Sequence, residues 1–125
     1  MRATKNQIVS GVIGYIRDDI LPKMEDDRAL QIMFSVAINA VKANDKLIDA
    51  IFANDMIRAL IDDDGGGHYE VGKLFDLLKE SIETYGTFPI SVPPIPLISP
   101  REITLKLDAS DIAAMRRRIE ATPEN

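Results

Sequence analysis

The sequence predicts a mainly α protein of the α+β class: a helical bundle of four to five helices with a small antiparallel β element and a proline-rich extended segment. Apolar residues recur every three or four positions through most of residues 1–86, which is the period of amphipathic helices. Five prolines then fall between residues 88 and 100 and exclude a regular helix there. Residues 103–107 alternate apolar and polar side chains, as a half-buried strand does.

Length and composition fit a single domain over residues 1–125. We expect a helical part at 1–86, followed at 87–122 by an extended arm, a strand and a C-terminal helix. Hydrophobic residues make up 46% and charged residues 28% of the chain, the balance of a folded globular domain. The absence of cysteine excludes disulfides and thiolate metal sites and fits a reducing compartment. No apolar run approaches the roughly 18 residues of a membrane helix, so we expect a cytoplasmic protein without a membrane partner.

Two helices are expected before residue 43. Thr4 and Gln7 have the spacing of a capping box, in which each side chain accepts a hydrogen bond from a backbone N–H at the helix start. Pro22 is expected to end this first helix. The second stripe is apolar around most of its circumference and therefore predicts a central, buried helix. The residues of this second stripe are Leu30, Met33, Phe34, Ala37, Ile38 and Val41.

Asparagine, aspartate and glycine divide the next stretch of the chain. A third stripe begins after Asn44 and is interrupted at Asn54. Residues 62–67, three aspartates followed by three glycines, predict a clear break. The segment from His68 to Val71 fits a short extended piece, and the helix that follows is expected to end at Gly86.

The segment from Phe88 to Pro100 is expected to form an extended arm, because its prolines exclude a central strand. Its large apolar side chains must be covered, either by the helices of the same domain or by a partner. These six residues are Phe88, Ile90, Val92, Ile95, Leu97 and Ile98. An edge strand at 103–107 also offers unpaired backbone groups. We therefore predict that the arm contacts another protein, most simply a second copy of this chain in a homo-oligomer.

The acidic, glycine-rich loop approximates two ligand-binding patterns and completes neither. A calcium loop that starts at Asp62 has Gly67 correctly at its sixth position, but Lys73 occupies the twelfth position, where a bidentate glutamate belongs. In a phosphate-loop alignment, Leu74 stands where a serine or threonine must hold magnesium. We expect a solvated turn, without a metal or a cofactor.

No set of side chains predicts catalysis. His68 is the only histidine, and there is no thiol or second imidazole to complete a transition-metal shell. Asp18 and Asp19 are neighbours at a helix end, where solvated carboxylates are expected rather than a facing catalytic pair. We therefore expect no enzymatic activity.

Two glycines lie inside the first predicted helix, Gly11 and Gly14. Each costs up to about 1 kcal/mol relative to alanine in a helix interior. Something should offset that cost, and a close approach of another helix, within or between subunits, is the interpretation that we favour.

Arg116, Arg117 and Arg118 form a basic cluster that supports an alternative function, a DNA-associated accessory or regulatory protein. Two features argue against nucleic acid. Residues 101–122 carry five basic and four acidic side chains, a local net charge of +1, whereas nucleic-acid-binding domains are strongly basic. Three consecutive helical residues also fan over roughly 200 degrees, so they cannot all face one groove.

Several segments together resemble a known group of proteins. They are residues 20–22, ILP; 64–71, DGGGHYEV; 95–100, IPLISP; 103–108, ITLKLD; and 111–112, DI. With them, most of the chain resembles short proteins without an assigned function that are encoded in bacterial prophages and related gene clusters. The resemblance implies a phage-type structural or accessory role and supplies no catalytic residues. The sequence thus predicts a non-enzymatic interaction or assembly protein.

Overall fold

Helices dominate the computed structural model, which describes residues 1–24, 28–63, 65–94 and 102–124. The elements in chain order are β1 (Arg2–Thr4), α1 (Lys5–Tyr15), α2 (Arg28–Lys42), α3 (Asp45–Ala53), α4 (Asp55–Leu60), β2 (Asp62–Asp63), β3 (His68–Glu70), α5 (Gly72–Tyr85), β4 (Phe88–Val92), β5 (Ile103–Leu107) and α6 (Ala109–Ala121). The prediction of a mainly α fold with a small antiparallel β element is confirmed.

Helix α1 begins with the predicted capping box. The Thr4 hydroxyl accepts from the Gln7 N–H at 3.2 Å, and the Gln7 side chain accepts from the Thr4 N–H at 2.9 Å. After Tyr15 the chain continues through a π-helical turn, Ile16–Ile20, and a 3-10 turn, Leu21–Met24. The regular α-helix therefore ends at Tyr15, earlier than the predicted end at Pro22. The proline lies in the 3-10 turn.

Helix α2 lies at the surface, so the prediction of a central helix is wrong. Leu30 is the one residue of α2 that is fully buried. Met33, Phe34 and Ile38 pack against the cluster around Tyr15. On the opposite side of α2, large apolar residues are exposed to solvent. Hydrophobic periodicity gives the width of an apolar face, but it does not say whether a neighbour covers all of it.

The third apolar stripe is two helices that meet at Asn54. This residue ends α3, and its side chain caps α4 by accepting from the N–H groups of Met56 at 2.9 Å and Ile57 at 3.3 Å. Asn44 caps α3 in the same way. Because the stripe is divided, the described residues contain six α-helices rather than four to five.

In the described part of the chain, two small antiparallel sheets accompany the helices. In the first, β3 lies between β1 and β2, with Ala3 opposite Tyr69 and Asp62 opposite Glu70. Only β3 was expected from sequence, because β1 and β2 are too short to show an alternation. The second sheet is the pair of strands predicted near 88–92 and 103–107, with Val92 opposite Ile103.

Helices α1 and α6 cross at a point that only glycine permits. A Cβ atom at Gly11 would lie 2.7 Å from the Cα atom of Ile119, one of the most buried residues of the core. The interpretation of close helix packing is therefore confirmed for Gly11, and the packing is within the chain, whereas a Cβ atom at Gly14 would meet only the ends of arginine side chains. Among the residues that the structure describes, the larger of two buried clusters lies around this crossing and comprises Ala3, Ile48, Phe52, Ile61, Val71, Phe75, Ile82, Ile112 and Ile119.

Candidate functional site

The predicted interaction residues of the arm divide into two groups. Phe88, Ile90 and Val92 lie in β4, which pairs with β5 along its whole length. Ile95, Leu97 and Ile98 lie outside the described residues. That the arm contacts a partner therefore stays a prediction. In the structure, β4 pairs with one of the two edges of the strand at 103–107.

The three arginines of α6 face different surroundings. Arg118 donates to Asp18 at 2.7 Å and approaches Asp19 at 3.4 Å, across the junction of α6 with the π-helical turn. Arg116 lies 3.7 Å from Glu120 on the same helix, and Arg117 is exposed. The hydrogen bonds from Arg17 and Arg118 hold the pKa of Asp18 well below its usual range. Two of the three positive charges thus have intramolecular acidic partners.

We expect the purified protein not to shift duplex or single-stranded DNA at physiological salt, because Arg116 and Arg118 already lie next to carboxylates. An electrophoretic mobility or fluorescence anisotropy titration checks this. Sub-micromolar binding with a steep salt dependence, lost when the three arginines are neutralised, would contradict it and support the DNA-associated alternative.

The acidic, glycine-rich loop is partly strand. Asp62 and Asp63 form β2, and Gly65 and Gly67 have φ angles of 77° and 86°, which glycine adopts readily. Asp62 is therefore fixed opposite Glu70 in a sheet rather than at the start of a calcium loop. Within the ranges that the structure describes, no three His, Asp or Glu side chains are placed so that they could hold a metal ion together. His68 lies 3.6 Å from Glu124.

A buried polar network joins α1, the 3-10 turn and α6. Asp111 accepts from the hydroxyl of Tyr15 and from the ammonium group of Lys23, the latter at 3.2 Å. Its second oxygen accepts from the N–H of Asp108, which completes the capping box at the start of α6. Burial and the hydrogen bond to Asp111 raise the pKa of Tyr15 above its usual range. These hydrogen bonds tie α1, the 3-10 turn and α6 together.

An apolar groove of about 340 Å³ runs between α1, α3 and α4 and ends beside α2. No polar surface contributes to it. Its lining comprises Ile8, Val9, Val12, Ile13, Val41, Ile48, Ile51, Phe52, Ile57 and Ile61. A groove with this lining can accept aliphatic or aromatic side chains, but it offers no group for acid–base or nucleophilic chemistry.

A polar groove of about 400 Å³ adjoins the apolar one and shares Val9 and Ile48 with it. Here Lys5 donates to Asp49 at 2.6 Å, and its ammonium group lies 5.4 Å from the centre of the Phe52 ring. The hydrogen bond to Asp49 raises the pKa of Lys5. The lysine charge is thus held at the boundary between the two grooves.

The outward side of α2 carries a stripe of apolar residues that sequence reasoning missed. We call Ala29, Ile32, Val36 and Ala40 the α2 stripe. Their spacing of three or four residues places them on one side of the helix, and all four are exposed. Ile32 is 55% and Val36 64% exposed. The sequence signal was available, since 13 consecutive residues, 29–41, carry no charge.

No protein-family model, curated protein or solved structure matches the chain. Among the described residues, no helix has the length and apolar character needed to cross a membrane.

Proposed function

We propose that the protein is a non-enzymatic interaction or assembly protein that docks another protein on the α2 stripe. One observation carries the proposal: Ile32 and Val36 are more than half exposed on a helix with no charge from 29 to 41. Single exposed apolar residues are ordinary on protein surfaces, whereas a continuous stripe on one helix face is typical of a binding surface. Covering it gains roughly 25 cal/mol per Å² of apolar area removed from water.

The arm and the resemblance agree with this proposal. The six apolar residues of the arm, predicted from sequence to contact a partner, also favour a role in protein binding. The likeness to prophage proteins supports a phage-type structural or accessory role, and the lack of cysteine supports a cytoplasmic setting. The DNA-associated alternative has less support, because Arg118 lies in hydrogen-bonding contact with Asp18.

A photo-crosslinking residue at position 36 tests the proposal in cells that express the protein. Irradiation is expected to give adducts of discrete mass, because the residue lies in the centre of the docking surface. The matched control is the same substitution at Leu77, which is 45% exposed on α5. Equal yields from positions 36 and 77, or no adduct from position 36, would contradict the proposed function.

A further inference from the structure

We propose that the two adjoining grooves form a binding site for one single-chain amphiphile with a zwitterionic head. The aliphatic chain of the ligand lies in the apolar groove between α1, α3 and α4, and its head lies in the polar groove. An alkyl chain that carries phosphocholine is an example of this ligand class. No residue of the α2 stripe lines either groove, so the site goes beyond the proposed docking function and does not depend on it.

The apolar groove selects a hydrocarbon chain, because its lining offers no polar partner. Its volume of about 340 Å³ lies within the range of small-molecule sites, roughly 300–1,000 Å³. Three helices contribute to the lining, with Val12 on α1, Phe52 on α3 and Ile57 on α4. A hydrogen-bonding group placed among these side chains would lose water without gaining a partner. We therefore expect the chain of the ligand to carry no polar substituent.

Lys5 lies where the chain of the ligand meets its head. The ammonium group of Lys5 donates to Asp49 at 2.6 Å and lies 5.4 Å from the centre of the Phe52 ring, which lines the apolar groove. Because Lys5 and Asp49 balance each other's charge, this pair makes the edge of the site polar without selecting an anion or a cation.

Two further charges line the polar groove and select the head. Lys42 ends α2, Asp45 begins α3, and both are exposed. Neither forms an ion pair with a residue that the structure describes, and Asp45 acts on Lys5 only at longer range. The helix dipoles favour a positive charge at Lys42 and a negative charge at Asp45. A zwitterionic head pairs with both, whereas a singly charged head pairs with one of them and lies near a like charge.

Isothermal titration calorimetry with three decyl probes tests the head. The probes are decylphosphocholine, decyl sulfate and decyltrimethylammonium, each below its micelle-forming concentration. Decylphosphocholine is expected to bind one molecule per chain and about threefold more tightly than either singly charged probe, because exposed ion pairs contribute little. Lys42→Ala is expected to weaken the binding of decyl sulfate about threefold and to leave decyltrimethylammonium unchanged. Asp45→Asn is expected to give the reverse.

A chain-length comparison and a groove variant test the site of the chain. Octylphosphocholine is expected to bind about tenfold more weakly than decylphosphocholine, since each buried methylene contributes roughly a three- to fourfold factor. Ile51 lines the apolar groove and is 42% exposed, so Ile51→Asp puts a charge beside the chain with little effect on the core. It is expected to weaken all three decyl probes at least tenfold. Leu77→Asp, at a 45% exposed position of α5, is the matched control and is expected to bind as the wild type does.

Saturable binding of decylphosphocholine, with opposite responses of the Lys42 and Asp45 variants to the two singly charged probes, would support the site. The proposal is overturned if no probe binds up to its micelle-forming concentration, or if Ile51→Asp binds as tightly as Leu77→Asp. Equal affinities for the three heads, unchanged in both charge variants, would also overturn it. The chain-length comparison uses the wild type and holds whether or not a variant folds. None of these results bears on photo-crosslinking at position 36, so failure of this site is distinguishable from failure of the docking function.

Discussion

Asp111→Ala is expected to lower the free energy of unfolding by about 3 kcal/mol, the largest effect of any single substitution considered. The change removes one half of the capping box of α6, because the N–H of Asp108 loses its acceptor, which costs about 1 kcal/mol. It also leaves the buried hydroxyl of Tyr15 without its acceptor, which costs about 1–3 kcal/mol. Urea denaturation followed by circular dichroism measures the loss.

The double variant with Tyr15→Phe is the control for this prediction. In the Tyr15→Phe background, Asp111→Ala no longer leaves a buried donor without an acceptor. The substitution should therefore lower the free energy of unfolding by at least about 1 kcal/mol less than in the wild-type background. Additive effects of the two substitutions would show that the side chains act independently and that the buried network does not join α1 to α6.

Gly11→Ala is expected to destabilise the fold by about 2 kcal/mol, although alanine is the better helix former. The added Cβ atom would lie 2.7 Å from the Cα atom and 2.8 Å from the backbone nitrogen of Ile119. Backbone atoms cannot rotate aside, so α1 and α6 must separate. The shift of the urea midpoint at an unchanged slope measures the effect.

Gly14→Ala is the matched control on the same helix. Its Cβ atom would lie 3.3 Å from the terminal nitrogen of Arg118 that donates to Asp18, and this end of a long side chain needs to move by only a few tenths of an ångström. We expect a change between zero and a gain of about 1 kcal/mol. Equal effects at positions 11 and 14 would mean that the α1–α6 crossing is looser than described.

Features set by residues close in sequence could be predicted. The cap at Thr4 and the glycine at position 86 that ends α5 each depend on residues within about four positions. The strands at 88–92 and 103–107 also followed from local signals, since proline and alternation mark them.

Features set by residues far apart in the sequence could not be predicted. Arg118 and Asp18 are 100 positions apart, and nothing in either neighbourhood indicates their ion pair. The same is true of Tyr15 and Asp111, 96 positions apart. The β1–β3–β2 sheet was missed because β1 and β2 have three and two residues, too few to show a period.

The candidate site was missed for a related reason. A wide apolar face on a helix is buried on all sides only where neighbouring elements cover it. Helix α2 has such neighbours on one side, where Leu30 lies. The opposite side carries Ile32 and Val36, and its apolar residues have the same spacing in sequence as those of a buried face. Exposure had to be observed before the uncharged run could be interpreted as a docking surface.

We propose that the α2 stripe serves binding rather than folding. The free energy of unfolding of an Ile32→Lys, Val36→Lys double variant, measured in dilute solution, tests it most directly. Because both side chains are more than half exposed, the value should lie within about 1 kcal/mol of the wild type. A loss of several kcal/mol would contradict the claim, since it would place the stripe inside the chain's own core and remove the surface for docking.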